Sequence, residues 1–99
     1  MNRLDPDFPA LVEKVIVAYE PRGEERGYTN DTIVRGTIFA HVISYIVRAS
    51  RGRIIEDIDI RKNTVAPKWA RERAIEIGIT LGLIKEGGLY RGKPTWVAT

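Results

Sequence analysis

From Arg73 to Gly88 the chain reads RAIEIGITLGLIKEGG, and no other stretch restricts the fold as strongly. Ile75, Ile77, Ile79, Leu81 and Leu83 occupy every second position, the period of a half-buried strand. The same residues also fit a helix. At about 100° per residue, Ala70, Ala74, Ile77 and Leu81 fall on one side, flanked by Trp69 and Gly78. Lys68, Arg71, Glu72 and Ile75 gather on a different, basic side. Pro67 suits a first-turn position, and Gly82 after a leucine suits a left-handed C-cap. A strand would instead hold Gly78 and Gly82 in its interior, where glycine weakens pairing. The helix is the better reading. It accepts a penalty of about 1 kcal/mol for Gly78 relative to alanine and leaves Ile75 and Ile79 without an evident apolar partner.

The segments on either side are easier to place. Leu83 and Ile84 begin a new element, and GGLYRGKPTWVA reads as a hairpin. Leu89 and Tyr90 lie on its first arm, RGK at its tip, and Trp96 and Val97 on its return. Near the start, DPDFPALVEKVIVAYEP predicts a helix with Asp5 or Asp7 as N-cap. Phe8, Leu11, Val12, Val15, Ile16 and Tyr19 share its apolar face. Pro21 ends it, and PRGEERGYTN is a polar loop. A second helix is expected from the capping cluster TND to a stop at Gly52. Its apolar stripe, centred on Ile38, Val42, Tyr45, Ile46 and Ala49, is widened by Ile33, Val34, Phe39, Ile43 and Val47, which implies contacts on more than one side. Arg53, Ile54 and Ile55 suit a short strand, and IEDIDI either a short helix or a continuation of that strand.

With the helix chosen, residues 32–99 resemble a winged helix-turn-helix domain of the archaeal or viral type found in small transcription regulators. The phrase LGLI after a helix and the hairpin LYRGKPTWVA carry much of the likeness. The resemblance implies an α+β fold, mainly helical, with a C-terminal β-hairpin wing and an extra N-terminal helix. The chain would be one domain, 1–99, with 1–30 as a helix-and-loop extension and 31–99 as the winged unit. Within it come a long helix at about 31–50, a strand at 53–55, a short helix near 56–61, a turn at 62–64 and a third helix over about 65–81.

In that family the third helix enters the major groove of double-stranded DNA and the wing reaches neighbouring backbone. Carried over to this chain, Thr64, Lys68, Arg71 and Glu72 would face the DNA from the helix, and Lys62 and Asn63 from the turn. Arg71 would fork onto guanine, Asn63 pair with adenine, Thr64 hold a phosphate and Lys68 meet the backbone. Arg61 adds to the cationic footprint, and Arg91 and Lys93 would act from the wing. A homodimer is expected, because two half-sites multiply discrimination. The implied role is a transcription regulator acting by site occupancy. The alternative is a winged-helix subunit or adaptor that binds protein, which the wide apolar second helix and the acidic front half suit.

Charge and composition agree with an anionic partner. Residues 1–47 hold five basic and seven acidic side chains, and 48–99 hold eleven and six. Five bases (Arg61, Lys62, Lys68, Arg71, Arg73) and one acid (Glu72) fall within 61–73. One histidine, His41, and no cysteine leave no Ser-His-acid or Cys-His set, and EGGLYRGK lacks the ending of a phosphate-binding loop, so no enzyme is expected. Asp57 and Asp59 lack further ligands, so neither a metal nor a cofactor is implied, nor a small-molecule substrate. Trp69 and Trp96 sit where packing suits them better than stacking on a single strand. The absence of a signal peptide, of a membrane-length apolar run and of cysteine predicts an intracellular, cytoplasmic protein without membrane contact. Thirteen isoleucines, eleven arginines against five lysines, and no glutamine resemble a thermophile's composition.

Overall fold

A computed structural model of the chain describes residues 7–20, 32–51 and 53–99. The element order is α1 (Asp7–Ala18), α2 (Thr32–Ala49), β1 (Ile55–Glu56), α3 (Asp57–Asn63), α4 (Lys68–Thr80), β2 (Ile84–Tyr90) and β3 (Lys93–Ala98). The three strands form one antiparallel sheet in the order β1-β3-β2, so the fold is α+β, with four helices and a C-terminal sheet among the described residues. The loop 21–30, the capping cluster 29–31, the N-cap candidate Asp5 and the stop at Gly52 lie outside those residues. Among the described residues no helix is long and apolar enough to cross a membrane.

Helix α2 is the axis of the core, which accounts for its broad apolar surface. Phe39, Val42, Ile43 and Ile46 are completely buried, and the helix packs against α1, α3, α4, β2 and β3. Helix α1 lays Phe8, Leu11 and Val15 across it, as the i, i+3, i+4 spacing requires, and the buried Tyr19 follows just past its end. The two helices meet closely at Gly36, where a β-carbon would stand 2.5 Å from Ile16 Cγ1. His41 is half-buried with its ring 4.8 Å from that of Phe8, and Trp69 packs edge-on to Phe39 at 6.1 Å. Trp96 is also partly buried against the core.

The stretch from 68 to 80 is helical despite its alternating isoleucines. Helix α4 starts three residues later than the pattern suggested, with extended Pro67 as its N-cap instead of a first-turn residue. Its C-terminus closes as expected. Gly82 takes φ +74°, its N–H donates to the Ile79 carbonyl at 3.0 Å, and the Leu83 N–H donates to Gly78 at 2.9 Å. Those two bonds make a Schellman motif, and the left-handed residue is why a glycine stands there.

The helical wheel misassigned one face. Arg71 and Ile75, placed on an outward basic side, are both 6% exposed, because α3 lies over that side of α4. Ile75 and Ile77 join the core, leaving Ile79 43% exposed. Gly78 also has a tertiary reason. A β-carbon there would lie 2.6 Å from Ile84 Cδ1 and 3.3 Å from Ile43 Cγ1, so its absence lets α4 sit close to α2 and β2.

The short middle elements are displaced by about a residue or two from expectation. The strand is Ile55–Glu56 and the following helix Asp57–Asn63. Asp59 Oδ2 accepts the Glu56 N–H at 3.0 Å, and the Glu56 carboxylate faces the Asp59 N–H in return, a capping box that turns IEDIDI from strand into helix. The hairpin has its tip at Arg91-Gly92, both with positive φ (53° and 78°), the mirror-image turn that matches strand twist. A bulge interrupts β2 between Glu86 and Leu89, with Gly88 at φ +87° and the buried Thr95 hydroxyl donating to the Gly88 carbonyl at 2.8 Å.

Candidate functional site

The sheet register determines which cations meet. Ile55 pairs with Trp96 and Glu56 with Thr95, so the chain leaving β1 passes the residues at the start of β3. The first turn of α3 therefore stands beside the hairpin tip. Between them is a cleft of about 550 Å³ lined by Glu56, Asp57, Ile58, Arg61, Arg91, Lys93 and Pro94. Arg61, thirty residues upstream of Arg91, is thus brought next to both tip cations.

The two acids of the cleft have internal partners. Glu56 belongs to the capping box. The Asp57 carboxylate accepts two bonds from Arg71, Nε to Oδ1 at 2.9 Å and a terminal nitrogen to Oδ2 at 3.2 Å. Both acids also lie at the start of α3, where the helix dipole favours negative charge. By contrast, Arg61 and Lys93 form no ion pair among the described residues, and all three cations are exposed. Arg91 stacks over the Tyr90 ring at 5.2 Å, which holds the guanidinium at the tip. The cleft presents three positive groups to whatever fills it.

The residues predicted to meet DNA are divided among several places. Arg61, Arg91 and Lys93 converge on the cleft; Lys62 is exposed nearby on α3 but does not line it. Asn63 and Thr64 face a different depression of about 280 Å³ against α2, lined also by His41, Tyr45 and Arg48. The Asn63 side-chain amide donates to Tyr45 Oη at 3.1 Å and to the Asp59 carbonyl at 2.8 Å. The Thr64 hydroxyl donates to the Ile60 carbonyl at 2.8 Å, closing the end of α3. In this arrangement both side chains shape the α3–α4 turn.

Arg71 requires the clearest correction. Its guanidinium is turned inward, forked on Asp57 and donating to the Ala66 carbonyl at 3.1 Å, so it is not offered to a base. Arg73, counted in the same local positive charge, is also buried; it donates to the Glu20 carbonyl at 2.6 Å and lies over the Tyr19 ring at 5.3 Å. Lys68 and Glu72 do point outward, 4.0 Å apart. The exposed side of α4 and the residues before it is then Val65, Lys68, Glu72, Glu76 and Ile79. It has two acids to one base, so the positive charge of 61–73 does not lie along this helix. Asp57 and Asp59 are likewise engaged by Arg71 and by the Glu56 N–H.

Sequence reading missed Ile58 and Pro94 as cleft walls and missed that Arg61 faces the hairpin. The signal was present only indirectly, in the pairing of a two-residue strand with the far arm of the hairpin. Fold and site together define a small α+β domain with a cationic cleft between a short helix and a hairpin tip. No protein-family model matches the chain, and no curated protein or solved structure is significantly similar to it.

Proposed function

We propose that this chain is a winged helix-turn-helix DNA-binding domain, a regulator that works by occupying a duplex site. The observation that carries the reading is the convergence of Arg61, Arg91 and Lys93 on one cleft whose carboxylates are already engaged. The order helix, strand, helix, helix, hairpin and the sheet order β1-β3-β2 support it. Phosphate neutralisation by such cations supplies most non-specific affinity for a duplex. The hairpin and α3 would make these contacts, and Lys62 and Lys68 would add to them from exposed positions. Arg71 contributes by holding α4 against α3.

The test is titration of the chain with random-sequence duplex DNA from about 50 to 200 mM salt. Binding is expected to weaken by orders of magnitude over that range. The triple variant Arg61→Ala, Arg91→Ala, Lys93→Ala should lower the salt slope by about three, one for each lost phosphate contact. Arg51→Ala, an exposed cation outside the cleft, should change it far less. No binding at 50 mM, or a triple variant equal to wild type, would overturn the proposal.

A protein-binding subunit remains the second reading, and the outward side of α4 favours it. Glu72 and Glu76 there repel phosphate, and Val65 is 83% exposed. If α4 faces DNA, Glu72→Ala should tighten binding by removing that repulsion. If α4 faces a protein, Glu72→Ala should leave DNA affinity unchanged and Val65→Asp should disrupt the complex.

A further inference from the structure

Helix α1 buries one face and leaves another open. On the open face are Ala10, Glu13, Lys14 and Val17, at the spacing i, i+3, i+4 and i+7 that makes one stripe. Together with Ala18 and Leu81 they line a depression of about 400 Å³ between α1 and the end of α4. Val17 is 86% exposed, the most exposed of the large apolar side chains described. Neither charge has a partner of opposite sign on its own helix. The positions three and four away from Glu13 are Pro9, Ala10, Ile16 and Val17, and those around Lys14 are Ala10, Leu11, Val17 and Ala18.

A contact between two copies of one chain about a twofold axis requires a surface complementary to itself. This stripe has that property. We infer that α1 pairs antiparallel with α1 of a second copy of this chain, with the twofold axis between positions 13 and 14. In that register Glu13 meets Lys14 of the second copy and Lys14 meets Glu13 of the second copy. Ala10 lies opposite Val17 of the second copy, small against large, and the reverse contact repeats it. Ala18, which lines the same depression as Leu81, lies opposite Pro9 of the second copy and extends the apolar contact at each end. The next charges outward, Asp7 and Glu20, are both acidic and would oppose each other at the ends; the usual crossing angle of packed helices carries those ends apart. A parallel pairing places glutamate against glutamate and lysine against lysine, so the charges select the antiparallel arrangement.

The contact is small. A pair of twelve-residue helices falls below the roughly 1,200 Å² of a standard interface, so a reversible, micromolar-range dimer is expected. The inference concerns self-association only and stands apart from DNA binding, so either can fail alone.

The experiment is sedimentation equilibrium of the full chain without DNA, over about 1–500 µM, on wild type, three charge-swap variants and Val17→Asp. Wild type should show a monomer–dimer equilibrium. Lys14→Glu alone creates two like-charge contacts per dimer and should weaken association about tenfold, as should Glu13→Lys alone. The exchange Glu13→Lys with Lys14→Glu restores both pairs and should return association to within about twofold of wild type. Val17→Asp should abolish it. All four variants are altered only at exposed positions, and thermal melting of each variant confirms that it folds. A wild type that is monomeric throughout overturns the inference. So does a dimer that ignores the single charge changes, or one that the double exchange fails to restore.

Discussion

Removing either end of the Arg71–Asp57 pair should have unequal effects, and the inequality follows from where each group lies. The Arg71 side chain is 8% exposed and the Asp57 side chain 48%. Asp57→Ala leaves a buried guanidinium with, among the described residues, only the Ala66 carbonyl as partner. Breaking a fully buried pair costs about 3–5 kcal/mol because the surviving charge has no water; with one carbonyl retained, about 3 kcal/mol is expected. Arg71→Ala leaves a carboxylate that water can reach, so its cost is closer to that of lost charge-assisted bonds, about 2 kcal/mol. In a domain of this size those values lower the melting temperature by about 12–24 °C and 8–16 °C respectively. Urea unfolding of both single variants and the double variant gives the coupling between them, expected at about 1–2 kcal/mol. If Asp57→Ala lies within about 0.5 kcal/mol of wild type, the inward orientation of Arg71 is wrong and its outward assignment to DNA returns. Arg71→Lys should recover less than half the loss, since an ammonium cannot fork onto a carboxylate.

Helix propensity alone says that Gly78→Ala should stabilise by about 1 kcal/mol, but the 2.6 Å approach to Ile84 Cδ1 reverses the sign. A net loss of about 1 kcal/mol is expected by denaturation, and combining it with Ile84→Val, which removes that methyl, should be less damaging than the sum of the two alone. Asn63→Ala removes the bonds to Tyr45 and Asp59 and should lower stability by about 1 kcal/mol. DNA affinity of that variant, measured well below its melting temperature, should match wild type; a selective loss of binding would restore Asn63 as a contact residue.

Local patterning made several parts of the fold legible. The stripe on α1, the wide apolar stripe of α2, the C-cap at Gly82 and the hairpin tip at Arg91-Gly92 are each set within a few residues of chain. Their physics is local too: side-chain period, left-handed backbone and turn twist. The helix-or-strand question over 68–80 was also answerable from punctuation, since Pro67 and Gly82 suit a helix's ends and not a strand's interior.

Tertiary structure decided which side of α4 faces out. A helical wheel gives the angle between Arg71 and Lys68, but not which neighbour covers either. Arginine also reads as a surface residue until a carboxylate is supplied, and Asp57 lies fourteen positions away on another helix. The cleft depends on the same kind of distant event. Arg61 meets Arg91 and Lys93 because a two-residue strand pairs with the far arm of the hairpin, and a segment that short has too little periodicity to announce its partner. The sequence by itself therefore determined the three longer helices and the hairpin to within a few residues at their ends, where the deciding forces act within a turn or two of chain. Only packing determined which charges are held inside and which remain to meet a partner, because burial and pairing belong to groups that the chain brings together from afar.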